Sequence, residues 1–317
     1  MDRGIVCILG GTGFVGRHLA FRLARQGYRL RIPSRRPHRH RALRVEPGIT
    51  LIQADVHDPA TLARLVRGCR AVINLVGVLN ASPEGFRRVH VELPRKLVTA
   101  ALEAGVPRLL HMSALNADPG EPHSLYLRTK GEGEAVVHAA LAQGLQVTSF
   151  RPSVIFGPDD HFLRRFATLL RLAPGVFPLA CPEARLTPVY VQDVVDAFVV
   201  ALEEARTVGR RCALCGPRTY RLRELVALLA RTLGLRRRIL GLGEGLSRLQ
   251  ARLLQHLPGQ PFTMDNYHSL QHPSVCGENC LPELGIPPTA LEAVLPHLLG
   301  PHQHQARLQA YRAGHHA

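Results

Sequence analysis

The spacing of Gly10, Gly13 and Gly16 constrains this chain more than any other feature, because of what flanks it. An apolar run, Ile5 to Leu9, leads directly into the first glycine, and Val15, Leu19 and Leu23 recur four residues apart through the last. The run reads as a buried strand. The recurrence reads as an amphipathic helix that leaves Arg17, Arg22 and Arg25 outside and stops at Gly27. In such a turn the first glycine permits the tight bend, the second lets backbone approach a pyrophosphate, and the third lets helix pack closely on strand. Free NH groups and the positive dipole end then face a phosphate, so Gly10, Thr12, Gly13, Phe14, Val15 and Gly16 are the expected phosphate cradle.

Short apolar runs recur at Tyr28 to Ile32, Ile49 to Asp55, Ala71 to Gly77, Arg108 to Ser113 and Gln146 to Phe150, with helical segments between most of them. This alternation predicts an α/β fold, a Rossmann-type doubly wound parallel sheet covered on both faces, over residues 1–156. The basic, proline-containing stretch Pro33 to Gly48 reads as a loop with at most a short helix. Residues 157–317 form a smaller, mostly helical lobe, with helices expected near Phe162 to Leu172, Val194 to Glu204, Arg221 to Leu233 and Leu246 to Leu257. The run Leu186 to Val191 is expected to tie this lobe back to the sheet.

The end of the second strand selects the dinucleotide. A carboxylate there would bond the ribose 2′-hydroxyl of NAD, but this chain has Ser34, Arg35 and Arg36. Arginine grips a 2′-phosphate through charge-assisted hydrogen bonds, so NADP(H) is preferred over NAD(H). Asp55 and Val56 end the third strand where an adenine edge would lie. Leu75, Val76 and Gly77 end the fourth beside the other half of the cofactor.

Tyr126 and Lys130 stand four apart on one face of an expected helix. A phenol with an ordinary pKa of about 10 is a poor acid or base at neutral pH, and a nearby ammonium favours its ionised form. Only two of the 40 basic residues are lysines, Lys96 and Lys130, so a lysine at this position stands out. Ser113, at the end of the fifth strand, is the candidate to orient a substrate oxygen.

The formal charge of +16 comes from arginines spread over the chain, which fits a general arginine preference better than a nucleic-acid-binding face, and no nucleic-acid partner is expected. No apolar run is long enough to span a bilayer and no secretory leader is evident, so a cytoplasmic location is expected, with the inner-membrane surface as the alternative. The seven cysteines are expected as free thiols, without a metal site. His302, His304, His315 and His316 read as a solvated tail. Asp193 reads as a helix N-cap, and Arg164 and Arg165 as candidates to receive an acidic substrate. Leu246, Leu249, Leu253 and Leu257 share one side of a helix; core packing is the first reading, a partner or membrane-surface contact the second.

Taken together, "GGTGFVG" (Gly10 to Gly16), Asp55, "NLVG" (Asn74 to Gly77), Ser113, Tyr126 with Lys130, and "RPSVIFGP" (Arg151 to Pro158) resemble the short-chain dehydrogenase/reductase superfamily in its extended or atypical branch. The stretches "HMSALNADP" (His111 to Pro119), "YLRTKGEGE" (Tyr126 to Glu134), "RPSVIFGPDDHFLRRFA" (Arg151 to Ala167) and "PGQPFTMDN" (Pro258 to Asn266) resemble the nucleotide-binding accessory subunit family of mitochondrial complex I and its bacterial relatives.

The resemblance implies a catalytic set of Tyr126, Lys130 and Ser113, with Pro152 and Val154 at the nicotinamide pocket and Arg151 as its wall or as an ion-pair partner. Extended members often carry the catalytic hydroxyl one residue beyond Ser113, where this chain has Ala114. Two readings follow. One is an NADP(H)-dependent reductase, epimerase or dehydratase acting on an unknown small molecule. The other is a cofactor-holding structural, assembly or sensor protein for a respiratory or quinone-linked partner.

Overall fold

The computed structural model describes residues 3–299; the histidines of the tail lie outside the described residues. Seven strands form one sheet: β1 (Ile5–Leu9), β2 (Arg29–Ser34), β3 (Ile49–Gln53), β4 (Ala71–Asn74), β5 (Arg108–Met112), β6 (Gln146–Pro152) and β7 (Arg211–Leu214). Their order is β7-β6-β5-β4-β1-β2-β3, and every pairing is parallel. This is the doubly wound, Rossmann-type sheet that the alternation predicts. Strand order reverses between β1 and β4, so the open crevice of the sheet lies at their carboxyl ends.

The strands are nearly continuous apolar runs because both faces are covered. Cys7 and Leu9 pack with Leu62, Leu65, Leu97 and Leu109 under the helices Pro59–Val66 and Leu93–Glu103. Val6 and Ile8 point to the other face and are equally buried. There α1 (Phe14–Arg25) buries Leu19, Ala20 and Leu23 and packs against the helix Val191–Glu203, with an Arg22–Asp196 ion pair at 3.2 Å. Asp193 lies inside the first turn of that helix, which begins three residues earlier than an N-cap role would require.

The chain divides into two compact units. Among the described residues, the first takes 3–152, 191–214 and 276–287, and the second takes 153–190, 215–275 and 288–299. The division at residue 156 expected from sequence therefore misses two returns of the chain. Leu186 to Val191 does not join the main sheet. Arg185–Leu186 pairs with Tyr220–Arg221, and Val189–Tyr190 pairs with Ile155–Phe156. The strand that does return is β7, whose Cys212 lies opposite Phe150 of β6.

Arg108 on β5 depends on this return. Its buried guanidinium donates to Ala201 O at 2.9 Å and to the hydroxyls of Thr148 and Thr207, both at 2.7 Å.

The second unit has its own core, in which Phe156, Leu163, Leu170, Leu225, Leu229 and Leu295 are buried together. It also contains α3, our label for the helix Glu244–Leu254 after α1 and the site helix α2 (Leu125–Ala139). The leucines that periodicity assigns to the core are exposed: Leu246 by 57%, Leu249 by 49%, Leu253 by 63% and Leu257 by 50%. Instead α3 buries the small residues Ser247 and Ala251. Cysteine chemistry also differs from expectation. Cys7, Cys69, Cys181, Cys212 and Cys280 are free thiols, whereas Cys215 and Cys276 are disulfide-bonded. No helix among the described residues is long and apolar enough to cross a membrane.

Candidate active site

The glycine turn sits at the crevice between β1 and β4. Leu75 N donates to Leu9 O at 2.9 Å, which brings the end of β4 against the turn. Gly10 has φ +77°, and a Cβ there would stand 3.0 Å from the carbonyl carbon of Leu75. At Gly16 a Cβ would stand 2.2 Å from the oxygen of Gly10. Both positions therefore demand glycine, one for conformation and approach, the other for approach alone. α1 starts at Gly13 with no side-chain cap and no acidic residue in its first turn. The helix thus leaves its positive end uncompensated, the arrangement an anionic phosphate requires.

Around this cradle, Ser34 is buried at the end of β2 and accepts from Arg36 N at 3.3 Å, while Arg35 and Arg36 are exposed. No carboxylate occupies this strand end. Asp55 is exposed and accepts from His57 N at 2.9 Å, which fixes the turn after β3, with Val56 half-buried beside it. After β4, Val76 N donates to Asn74 Oδ1 at 3.2 Å, and the Asn74 amide is hydrogen-bonded to His111 Nδ1 at 3.3 Å. This buried pair fixes the path of Leu75, Val76 and Gly77. Neither Asn74 nor His111 was singled out for this role from the sequence. Burial, with Lys130 nearby, holds the His111 imidazole well below its ordinary pKa and therefore neutral.

α2 begins where the Ser124 hydroxyl accepts from Leu127 N at 3.2 Å. Tyr126 and Lys130 occupy its first two turns. Lys130 is buried, and its ammonium donates to Met112 O at 2.5 Å. Burial lowers its pKa from 10.5 to about 8, against the opposing pull of Glu134. A Cβ on Gly77 would come within 3.9 Å of Lys130 Nζ, so the ammonium lies close beneath the end of β4.

The Tyr126 ring is half-buried between two aromatic edges, Phe86 at 6.4 Å and His90 at 5.6 Å. His90 comes from a π-helical turn, Arg88–Glu92. Its Nε2 accepts from Val78 N at 3.1 Å, so its Nδ1 carries the proton and donates to Thr129 Oγ1 at 3.0 Å. Burial, reinforced by the Lys130 charge, lowers its pKa to about 3. The sequence signal for His90 is weak, since no motif contains it.

Ser113 is buried, and its Oγ has no hydrogen-bond partner among the described residues. Ala114 follows it, so neither position presents a hydroxyl to solvent. Pro152 accepts from Leu115 N at 3.1 Å, which anchors the loop after Ser113, while Val154 packs in the second unit. Arg151 is an ion-pair partner: its guanidinium spans both oxygens of the buried Glu134 carboxylate, with Nε 3.0 Å from each, and Arg211 approaches the same carboxylate at 3.6 Å. Arg164 pairs with Asp159 at 2.7 Å, and Arg165 donates to Pro261 O at 3.0 Å.

The sheet order, the glycine turn at its reversal point and the uncapped helix behind it define a dinucleotide-binding protein of the Rossmann type. The chain belongs to the NAD dependent epimerase/dehydratase family, whose model matches residues 6–220. It is 34% identical over 228 residues to "NADH dehydrogenase [ubiquinone] 1 alpha subcomplex subunit 9, mitochondrial" of Mus musculus, a match covering 70% of this chain and 59% of that protein.

It is also 35% identical over 201 residues to the "Ceramide reductase" of Caulobacter vibrioides, covering 62% of this chain and 60% of the relative. The match thus spans about 60% of the length of these two relatives. Among solved structures, the dTDP-glucose 4,6-dehydratase of Streptomyces venezuelae with NAD bound has the same fold, with TM-score 0.74 and 21% identity over 93% of this chain and 95% of that one.

Proposed function

We propose that the chain is an NADP(H)-dependent reductase acting on a carbonyl substrate, with the first unit holding the nucleotide and the second carrying the surface for substrate or partner. The observation that carries this reading is the buried Lys130 ammonium one turn after Tyr126, in a chain with one other lysine. Gly10, Thr12, Gly13, Phe14, Val15 and Gly16 would hold the pyrophosphate. Ser34, Arg35 and Arg36 would hold the 2′-phosphate, Asp55 and Val56 the adenine, and Leu75, Val76, Gly77 and Pro152 the nicotinamide half, whereas Val154 belongs to the second unit.

When bound, NADPH would supply the hydride for carbonyl reduction. Tyr126 would donate the proton taken up by the carbonyl oxygen, and Lys130 would stabilise the resulting Tyr126 phenolate and help hold the cofactor's ribose. Ser113 is the assigned substrate-orienting residue, and its hydroxyl must be uncovered to serve.

A second reading is a protein that holds NADP(H) without turnover for a respiratory partner at the inner membrane. The covered, unpartnered hydroxyl of Ser113 favours it, as does the mitochondrial subunit among the relatives.

Titration with NADPH and NADH, alongside Arg35→Ala and Tyr126→Phe, tests both. Tighter binding of NADPH, reduced about tenfold in Arg35→Ala, is expected; equal affinity for the two nucleotides would overturn the 2′-phosphate assignment. Rapid NADPH exchange, and carbonyl-dependent oxidation lost in Tyr126→Phe, support the enzyme. NADPH that stays bound through gel filtration without turnover supports the holding protein.

A further inference from the structure

We propose that α3 is an interfacial helix that docks the protein on an anionic phospholipid surface. The proposal is independent of whether the chain turns over its cofactor. Leu246, Leu249 and Leu253 recur at spacings of three and four, with Leu257 just beyond the helix end, and all are about half exposed or more. Their direction is fixed by the opposite side of the helix. Ser247 Oγ accepts from Cys181 N at 3.1 Å and donates to Leu242 O at 3.2 Å, and Ala251 is fully buried. The small residues therefore face the unit, and the leucines face away.

The strand just before α3 and its partner strand also expose aliphatic side chains. Val176–Leu179 pairs with Arg238–Gly241, and Val176 and Leu240 are exposed. Four large aliphatic side chains on one stripe exceed the scattered apolar exposure normal for a protein surface.

Charge selects the occupant. No carboxylate occurs between Glu244 and Asp265, whereas Arg248 and Arg252 are exposed on α3 and Arg236 and Arg238 are exposed just before it. Helical spacing sets Arg248 and Arg252 beside the leucine stripe rather than in it. Leucines on one side with arginines flanking them match the boundary between acyl chains and anionic headgroups, where each element gains by its own mechanism.

The test is flotation of the full chain with vesicles of phosphatidylcholine alone and of phosphatidylcholine mixed with phosphatidylglycerol. The expected result is binding to the mixed vesicles, weakened about tenfold or more both by Leu249→Asp with Leu253→Asp and by Arg248→Gln with Arg252→Gln. All four residues are exposed, so unchanged thermal unfolding and NADPH affinity verify that the variants are folded.

Failure to bind the mixed vesicles overturns the proposal. So does binding that survives the leucine changes, which would be charge alone. Sedimentation of the free protein as a dimer that the leucine changes split would likewise overturn it, and would assign the stripe to a second copy of the chain.

Discussion

The imidazole of His90 stands edge-on to the ring of Tyr126, with centroids 5.6 Å apart and planes at 80°. His90 cannot rotate without breaking its bonds to Val78 N and Thr129 Oγ1. It therefore acts as a wall that sets where the Tyr126 ring lies. His90→Ala is expected to cost about 2 kcal/mol or more, through the cavity and the unsatisfied Val78 donor, and to lower turnover more than NADPH affinity. Urea unfolding and NADPH titration check the two parts. The folded imidazole resists protonation down to about 3, while the unfolded one titrates near 6.5, so this residue makes stability fall as pH drops through that window. An unchanged acid limb in His90→Ala would refute that assignment.

Lys130 gives the opposite limb. Its folded pKa of about 8 lies below the unfolded 10.5, so between these values the unfolded state binds more protons and stability rises with pH. Lys130→Met should flatten this rise when unfolding is followed from about pH 8 to 10.5. Turnover should behave in reverse. It should decline as the ammonium is lost above about pH 8.

Gly16→Ala places a methyl 2.2 Å from the Gly10 oxygen and 2.6 Å from Gly11 Cα, both rigid backbone atoms. α1 must then lift from β1, at a cost of roughly 1–3 kcal/mol or more. A thermal midpoint equal to that of the parent protein would contradict the close approach.

The Glu134 carboxylate is buried beneath Arg151, so removing the cation alone leaves an uncompensated charge. Arg151→Ala is expected to cost about 3 kcal/mol or more, and the double change Glu134→Leu with Arg151→Leu less than that. Equal losses in a double-mutant cycle would show that Arg211 suffices as partner.

Much of the nucleotide half was legible because local patterns coincide there with tertiary ones. The run Ile5 to Leu9 is a strand over those same residues, and the stripe of α1 faces the core as its spacing implies. The stretch after β2 holds two short helical pieces rather than at most one, a 3-10 turn Pro37–Arg39 and an α-helical turn Arg41–Arg44. Periodicity failed at α3, because it reports that a helix has an apolar side and not which way that side faces. His90 was illegible for a different reason: its role arises from a π-helical turn meeting α2, a meeting no sequence spacing encodes. The short run around Cys212 lies far along the chain from the other strands, and only the structure shows that it pairs with β6.

That pairing sets the order in which the molecule can be assembled. A ribosome delivers β5 about a hundred residues before Ala201 and Thr207, so the Arg108 guanidinium must wait, hydrated, for the carbonyl and hydroxyl that will enclose it. The nascent nucleotide unit stays one strand short throughout that interval. Its edge at β6 remains open to mispairing until synthesis has passed Leu214.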